Sequence, residues 1–199
     1  MKNPPLSEGF LYRQRKDTAL VKKLEEMTLP ELWRLFPVRL VPHDPRWGQW
    51  YARKKEELSE LFSSVPVIPF AIHHIGSTAV PDIQAKPIID ILIEWESVRD
   101  MKTAKETLIG SGYRCMSETP KRISLNDGYT EQGYAERVFH LHLRLKGDRA
   151  ETIFRDYLIS NPDIAKEYER LKLKLQRLYE YDRDGYTSAK TAFIKEHTP

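Results

Sequence analysis

Apolar residues recur along the chain at two periods, and these periods predict a mixture of helices and strands. Helical spacing, together with capping residues such as Thr28, Asp44 and Ser97, predicts helices over 17–27, 28–36, 44–63, 97–109, 151–159, 162–181 and 188–196. Short β-branched or alternating runs predict strands over 38–41, 69–75, 88–93, 112–116, 121–125 and 137–145. Asn126-Asp127-Gly128 is typical of a hairpin turn. The pattern therefore predicts a protein of the α/β (α+β) class.

The segment 71–95 carries the most chemical constraints in the chain. Its first strand ends at Gly76-Ser77, where backbone N–H groups and a hydroxyl can surround a phosphate group. Its second strand is apolar except for Asp90. A buried carboxylate is costly without a partner, so Asp90 requires a counter-charge, a metal ion or access to solvent.

Composition narrows the class of partner and the compartment. The net charge of +3 is the small difference between 32 basic and 29 acidic residues, and it does not favour bulk nucleic-acid binding. The single cysteine, Cys115, excludes an intramolecular disulfide. No apolar run approaches the ~18 residues that span a bilayer, and the first residues lack the apolar core of a signal peptide. We expect a cytoplasmic protein that does not bind membranes.

The segment HIGSTAVPDIQAKPIIDI resembles the signature of the GrpB family, which is grouped with the polymerase-β-like nucleotidyltransferases. The resemblance extends from about Leu35 to Phe193 through the segments VPHDPRW, GYT, FHLHLR and FRDYL. It implies a nucleotidyltransferase-like small mixed β-sheet flanked by helices. We expect an N-terminal helical extension over 1–36 and a GrpB-like domain over 37–199, with its sheet core reaching about 148 and a helical lobe over 149–199.

The superfamily motif places two acids two residues apart on one strand. Such residues share a face and lie ~6.6 Å apart, so both carboxylates can bind one divalent cation. Here Leu92 occupies the second position. Glu94 shares the face, and we assign it to catalysis with Asp90, but it lies ~13 Å along the strand. The two carboxylates cannot share an ion unless a bulge brings them together.

His140 and His142 alternate onto one face of a predicted strand, and this suggests a different metal site. If that strand lies beside the Asp90 strand, as the strand with the third carboxylate does in the superfamily, the three side chains meet. Two imidazoles and a carboxylate suit a divalent metal, with Mg, Mn and Zn as the candidates. The alternative is that the histidines pair with carboxylates or bind phosphate as cations.

Several residues are candidates for binding a phosphorylated ligand. Thr78 adds a hydroxyl to the Gly-Ser turn, and Lys86 lies between that turn and Asp90. The family resemblance implies that basic residues on the C-terminal helices face the cleft, and Tyr129 is placed to stack on a base. The alternatives are a plain turn, solvated helix faces and a plain hairpin. The predicted phosphate-binding residues are Gly76, Ser77, Thr78, Lys86, Arg144, Arg155, Lys172 and Lys190.

Three functional hypotheses follow. The first is a nucleotidyltransferase-like protein that binds a nucleotide or another phosphorylated small molecule and transfers a nucleotidyl group to an acceptor with the help of a metal. The second, favoured by Leu92, is a non-catalytic nucleotide-binding or accessory module. The third is a metal-dependent hydrolase with a His-His-Asp site.

Overall fold

The computed structural model describes residues 22–198. The strands are β1 (Ala71–Ile75), β2 (Ile88–Trp95), β3 (Arg114–Glu118), β4 (Arg122–Thr130) and β5 (Gly133–Leu145). The helices are α1 (Leu29–Leu35), α2 (Arg46–Ser63), α3 (Val98–Gly110), α4 (Ala150–Ser160), α5 (Pro162–Leu178), α6 (Arg183–Ala189) and α7 (Thr191–Glu196). Leu24–Glu26 and Ser77–Ala79 form short 3₁₀ turns. No helix in this part of the chain is long and apolar enough to cross a bilayer.

The five strands form one sheet in the order β1-β2-β5-β4-β3. β2 and β5 are parallel neighbours, and the other three pairs are antiparallel. This arrangement confirms the predicted small mixed sheet flanked by helices. The β2–β5 register pairs Asp90 with His140 and Leu92 with His142, so that residues distant in sequence become adjacent.

The two faces of the sheet have different chemistry, as the period of two in β2 and β5 predicts. One face packs on α2 and α3, and its side chains form the main core with residues of those helices. The core residues include Ile89, Ile91, Ile93, Leu141, Leu143, Trp47, Phe62 and Met101. The opposite face carries Asp90, His140 and His142, and it lines a cavity that is closed on its other side by residues of α4 to α7.

Local capping explains where three of the helices begin. Thr28 and Glu31 form the predicted capping box of α1, with Pro30 in its first turn. The Asp44 carboxylate accepts a hydrogen bond from the Arg46 backbone N–H at the start of α2. In α3 the Ser97 hydroxyl accepts from the Asp100 backbone N–H at 3.1 Å.

Two predicted elements are wrong. The segment 38–41 is not a strand: it makes one isolated bridge, between Val41 and Ala85. Asn126-Asp127-Gly128 is not a hairpin turn but a bulge inside β4, and the connection to β5 lies at Thr130–Gly133. Gly128 has a φ of 90°, and a β carbon there would lie 2.4 Å from the carbonyl oxygen of Arg137. A glycine at positive φ suits a bulge as well as a turn.

Three predicted helices differ in their bounds. Residues 17–21 of the first lie outside the described residues, and the rest of it contains only the 3₁₀ turn Leu24–Glu26. The helix predicted over 162–181 ends at Leu178. The last predicted helix is two helices, α6 and α7, separated at Lys190. Residues of both helices line the cavity, among them Tyr186 of α6 and Ile194 of α7.

Candidate metal and phosphate site

Asp90, His140 and His142 form a hydrogen-bonded cluster at the centre of the sheet. The Asp90 Oδ1 atom lies 3.3 Å from His140 Nδ1 and 3.1 Å from His142 Nε2. Burial alone would raise the pKa of Asp90, but its hydrogen bonds with the two histidines hold that pKa well below its usual range. Burial lowers the pKa of His140 in spite of the nearby carboxylate. The cluster therefore contains an ionised carboxylate beside a neutral imidazole.

This donor set fits a divalent metal. One ligand atom from each of Asp90, His140 and His142 lies within 4.8 Å of the other two. Two nitrogens and one oxygen suit zinc or manganese better than magnesium, which prefers oxygen ligands. Leu92, two residues after Asp90, is fully buried and supplies no ligand atom. The cluster therefore offers one carboxylate and two imidazoles, whereas a paired-carboxylate site offers two carboxylates.

The Gly-Ser turn packs directly against this cluster. Gly76 has a φ of 71° and a ψ of −174°, a combination that only glycine adopts readily. A β carbon at Gly76 would lie 2.5 Å from Asp90 Oδ2. Thr78 in the following turn is buried, and its hydroxyl donates to the Ile88 carbonyl oxygen at 3.0 Å. The predicted cradle is therefore fixed against β2 beside Asp90.

The cluster opens into a cavity of about 530 Å³ whose wall is strongly cationic. Six basic side chains line the cavity, compared with the two carboxylates of Asp90 and Glu151. The basic residues are Lys86, Arg122, Arg155, Lys172, Arg183 and Lys190. Such a surplus of positive charge around a cavity favours an anionic ligand.

Three of these cations have lowered pKa values: Lys172 is buried, and Lys86 and Lys190 are partly buried. Burial lowers the pKa of Lys86 to about 7, with added repulsion from Arg183 and Lys190. Burial and repulsion by Lys190 also lower the pKa of Lys172 to about 7. The pKa of Lys190 is lowered to about 8, again mainly by burial. An anion in the cavity would supply the counter-charge that favours the protonated lysines.

Backbone and aromatic contacts orient the lysine side chains. Lys172 Nζ donates to the Gln84 carbonyl oxygen at 2.5 Å. Lys190 Nζ and Lys86 Nζ lie 4.4 and 5.6 Å from the centre of the Tyr186 ring. The apolar and aromatic part of the cavity wall consists of Leu40, Ile75, Val80, Ile88, Ala150, Phe154, Leu158, Tyr168, Tyr186 and Ile194. The cavity therefore suits a ligand with both an anionic and an apolar part.

The structure brings most of the predicted site residues to this cavity. Gly76, Ser77, Thr78, Lys86, Asp90, His140, His142, Arg155, Lys172 and Lys190 all line it. Arg155 is partly engaged elsewhere, because it donates to the His74 carbonyl oxygen at 2.5 Å and pairs with Asp156 at 2.6 Å.

Three predicted residues lie outside the cavity lining. Glu94 is buried against His73, with 3.3 Å between the carboxylate and the imidazole. Arg144 is buried in an ion pair with Glu151 at 3.1 Å and also donates to the Leu143 carbonyl oxygen. Tyr129 is buried behind His140, and its hydroxyl lies 2.8 Å from His140 Nε2.

Sequence reasoning missed Arg183, which extends from α6 into the cavity. Its Nη2 atom lies 3.3 Å from His140 Nε2, and its guanidinium lies 5.6 Å from the centre of the Tyr129 ring. The only local signal was its position just after the Asp182 N-cap, and a basic residue on a short helix is usually solvated. Only the tertiary structure, in which the Arg183 side chain reaches His140 on β5, reveals the contact.

Comparison with known proteins gives a family match. A family model described as GrpB protein matches residues 37–199. The "UPF0157 protein YqkA" of Bacillus subtilis is 35% identical over 181 residues, which cover 87% of this chain and 50% of that protein. The "Glutamate-rich protein GrpB" of Alkalihalophilus pseudofirmus is 35% identical over 169 residues, covering 80% of this chain and 92% of the relative.

A solved structure agrees with the sequence matches. The crystal structure of conserved protein GrpB from Enterococcus faecalis superposes with a TM-score of 0.68 and 27% sequence identity. The match covers 80% of this chain and 94% of that one. The chain spans about half the length of YqkA, so the relatives differ in length by about a factor of two.

Proposed function

The chain belongs to the GrpB family, and from that premise we propose that its cavity binds a nucleotide or another phosphorylated small molecule beside a divalent metal. The single observation that carries the proposal is the shared cavity. Asp90, His140 and His142 line it together with Lys86, Lys172 and Lys190. A polyanion that is bound through a metal requires metal ligands and cationic side chains close together, and this cavity contains both kinds of group.

Buried charge supports a phosphorylated ligand rather than a neutral one. Each buried lysine weakens the free protein as long as its charge lacks a close counter-charge. A phosphate group provides several acceptor oxygens and more than one negative charge, so it can pair with two or three of these ammonium groups at once. The apolar wall with Tyr168 and Tyr186 leaves room for an organic group such as a base or an acyl chain.

The reaction class that best suits these groups is nucleotidyl or phosphoryl transfer. Asp90, His140 and His142 would hold the metal, which neutralises charge on the transferred phosphoryl group when it is bound. The backbone of Gly76 and Ser77 and the side chains of Lys86, Lys172 and Lys190 would bind and orient the remaining phosphates. In a nucleotidyl transfer an acceptor oxygen forms a bond to the α-phosphorus and pyrophosphate leaves, whereas in a phosphoryl transfer the bond forms to the γ-phosphorus and the nucleoside diphosphate leaves.

A second candidate is a binding module without catalysis. The supporting observation is Leu92, which is fully buried where the superfamily motif has a second acid. A single carboxylate with two histidines provides less negative charge than a paired-acid site and so favours one metal rather than two. If the protein is a binding module that has lost its metal, nucleotide affinity will not depend on a divalent cation.

The test is binding of ATP, GTP, CTP and UTP to metal-free protein by calorimetry, repeated with magnesium, manganese or zinc. We expect at least one nucleotide to bind more tightly with manganese or zinc, and Asp90→Ala to abolish this gain. The matched control is Asp163→Ala, which removes an exposed acid from α5. Metal-independent binding would favour the accessory module, and zinc uptake without any nucleotide binding would favour a hydrolase instead.

A further inference from the structure

The Nε2 atom of His140 has two hydrogen-bonding neighbours with different chemistry. The Tyr129 hydroxyl lies 2.8 Å away and the Arg183 guanidinium 3.3 Å away. A hydroxyl can either donate or accept a hydrogen bond, whereas a guanidinium can only donate. Either neighbour can donate to Nε2 when it carries no hydrogen, but only the Tyr129 oxygen can accept from Nε2 when it carries one.

The other ring nitrogen of His140 is the one that faces the cluster. Nδ1 lies 3.3 Å from Asp90 Oδ1. The ionised Asp90 carboxylate can only accept, so without metal a neutral ring carries its hydrogen on Nδ1, and Nε2 accepts from Tyr129 or Arg183. A metal ion bound at Nδ1 needs the lone pair there, so the hydrogen must then be on Nε2. In that tautomer Arg183 has no acceptor on the ring, while the Tyr129 oxygen can accept.

We propose that Tyr129 and Arg183 bias the tautomer of His140 in opposite directions. Tyr129 is a positioning residue that favours metal ligation through Nδ1, and Arg183 favours the hydrogen-bonded cluster without metal. The inference rests on the metal site of the proposed function. It adds a role for two residues that would not themselves bind the metal.

The surroundings of the two residues suit these roles. Tyr129 is held between Phe36 and Tyr134, with ring centres 4.6 and 5.2 Å away. Burial raises the pKa of Tyr129, so its side chain remains a neutral hydroxyl at a fixed position.

Arg183 lines the cavity and can pair with an anion there. An anion that draws Arg183 away from His140 would favour the metal-ligating tautomer, so metal and anion should bind cooperatively.

The tautomer can be measured without any metal. Nitrogen-15 chemical shifts of the His140 ring in metal-free protein should report hydrogen on Nδ1. Because the ionised Asp90 carboxylate also holds the hydrogen on Nδ1, the effect of Arg183 is read in zinc affinity, which should rise in Arg183→Met. Lys190→Met is the matched control, because it removes another cation from the same cavity but not from His140. Hydrogen on Nε2 in the metal-free protein, or zinc affinity that is unchanged in Arg183→Met or raised equally in Lys190→Met, would overturn the role of Arg183.

Zinc affinity tests the role of Tyr129. Loss of a residue that orients a metal-ligating histidine typically weakens metal binding by about 10–100-fold, and we expect such a loss in Tyr129→Phe. Tyr134→Phe removes a hydroxyl from the same aromatic cluster without touching His140 and should bind zinc like the unmodified protein. Equal zinc affinity in Tyr129→Phe and the unmodified protein would overturn the inference. Absence of zinc binding in the unmodified protein would instead refute the metal site of the proposed function, and the tautomer measurement would still stand on its own.

Discussion

Gly76 and Asp90 are in such close contact that the space for any side chain at Gly76 is occupied by the Asp90 carboxylate. A β carbon on Gly76 would lie 2.5 Å from Asp90 Oδ2 and 3.1 Å from Asp90 Cγ. Asp90 is also bound to His140 and His142, so it has little freedom to move aside. The Gly76-Ser77 turn and the Asp90 carboxylate, which both line the cavity, therefore depend on each other for their positions.

Substitution Gly76→Ala should disrupt the cluster and the fold together. The backbone at Gly76 lies in a region that costs other residues about 1–3 kcal/mol, and the new methyl group adds the clash with Asp90. We expect a loss of free energy of unfolding of at least that size in urea titrations. We also expect zinc affinity to fall about tenfold or more, because the displaced carboxylate no longer faces both histidines.

Gly48→Ala provides the control for this substitution. Gly48 lies in α2, and a β carbon there would meet no atom within 4 Å. Alanine in place of a helical glycine should raise stability by roughly 0.5–1 kcal/mol and leave zinc affinity unchanged. Equal behaviour of the two variants would contradict the packing of Gly76 on Asp90.

Lys172→Met should stabilise the free protein at low pH and weaken anion binding. The folded-state pKa of Lys172 is about 7, against 10.5 for a free lysine, so the unfolded chain holds more protons between these values. The free energy of unfolding of the unmodified protein therefore rises with pH across this window. Below about pH 7 the cost of the buried charge is fully present, and its removal should gain roughly 2–4 kcal/mol.

The gain in Lys172→Met should shrink as the pH rises from about 7 toward about 11, because the lysine is then neutral in the folded protein and largely neutral in the unfolded chain. Urea unfolding of the variant and the unmodified protein across this range measures the difference. Lys174→Met, on the exposed side of the same helix, is the control and should show no such trend. A gain that is independent of pH would show that Lys172 is not a strained cation.

Anion binding should take up protons near neutral pH. Lys86 and Lys172 have pKa values of about 7, and an anion favours their charged forms. Sulfate is a suitable probe because it has no proton to exchange in this range. Its affinity should fall with rising pH above about 7, by up to about tenfold per pH unit for each proton linked to binding.

Calorimetry in two buffers of different ionisation enthalpy counts the protons directly. We expect net proton uptake at about pH 8 and little at about pH 6, where the lysines are already protonated. Sulfate binding without proton uptake at the higher pH would argue against binding near these lysines.

Glu94→Gln should leave ligand and metal binding unchanged. Sequence spacing assigned Glu94 to catalysis, but its carboxylate lies against His73 rather than in the cavity. We expect a loss of roughly 1–3 kcal/mol in stability from the weakened buried pair and zinc affinity within about a factor of two of the unmodified protein. A large loss of zinc affinity at unchanged stability would restore the assignment to the site.

Local signals in the sequence predicted many of the secondary elements, because their causes are local. The capping box at Thr28 and Glu31 and the alternation in β5 each depend on residues that are close in sequence. The prediction of a hairpin turn around Gly128 was wrong because it, too, used only local signals. Its backbone conformation is that of a turn, and whether the chain reverses or bulges depends on the partner strand.

The site itself depends on contacts that no local pattern encodes. Asp90 and His140 become neighbours through the parallel pairing of β2 and β5, which the sequence suggested only through the family resemblance. The position of Arg183 depends on how α6 packs against the sheet. Strand periodicity placed Glu94 and Arg144 on the correct face, but it could not show that His73 and Glu151 bind them.

The location of the bound metal and phosphate tests the central claim most directly. Crystals grown with zinc and a non-hydrolysable nucleotide would give an anomalous difference map at the zinc absorption edge. We predict a peak about 2.0–2.2 Å from a carboxylate oxygen of Asp90 and from ring nitrogens of His140 and His142, with phosphate density next to Lys86 and Lys172. A zinc peak elsewhere, with the nucleotide outside the cavity, would contradict the account.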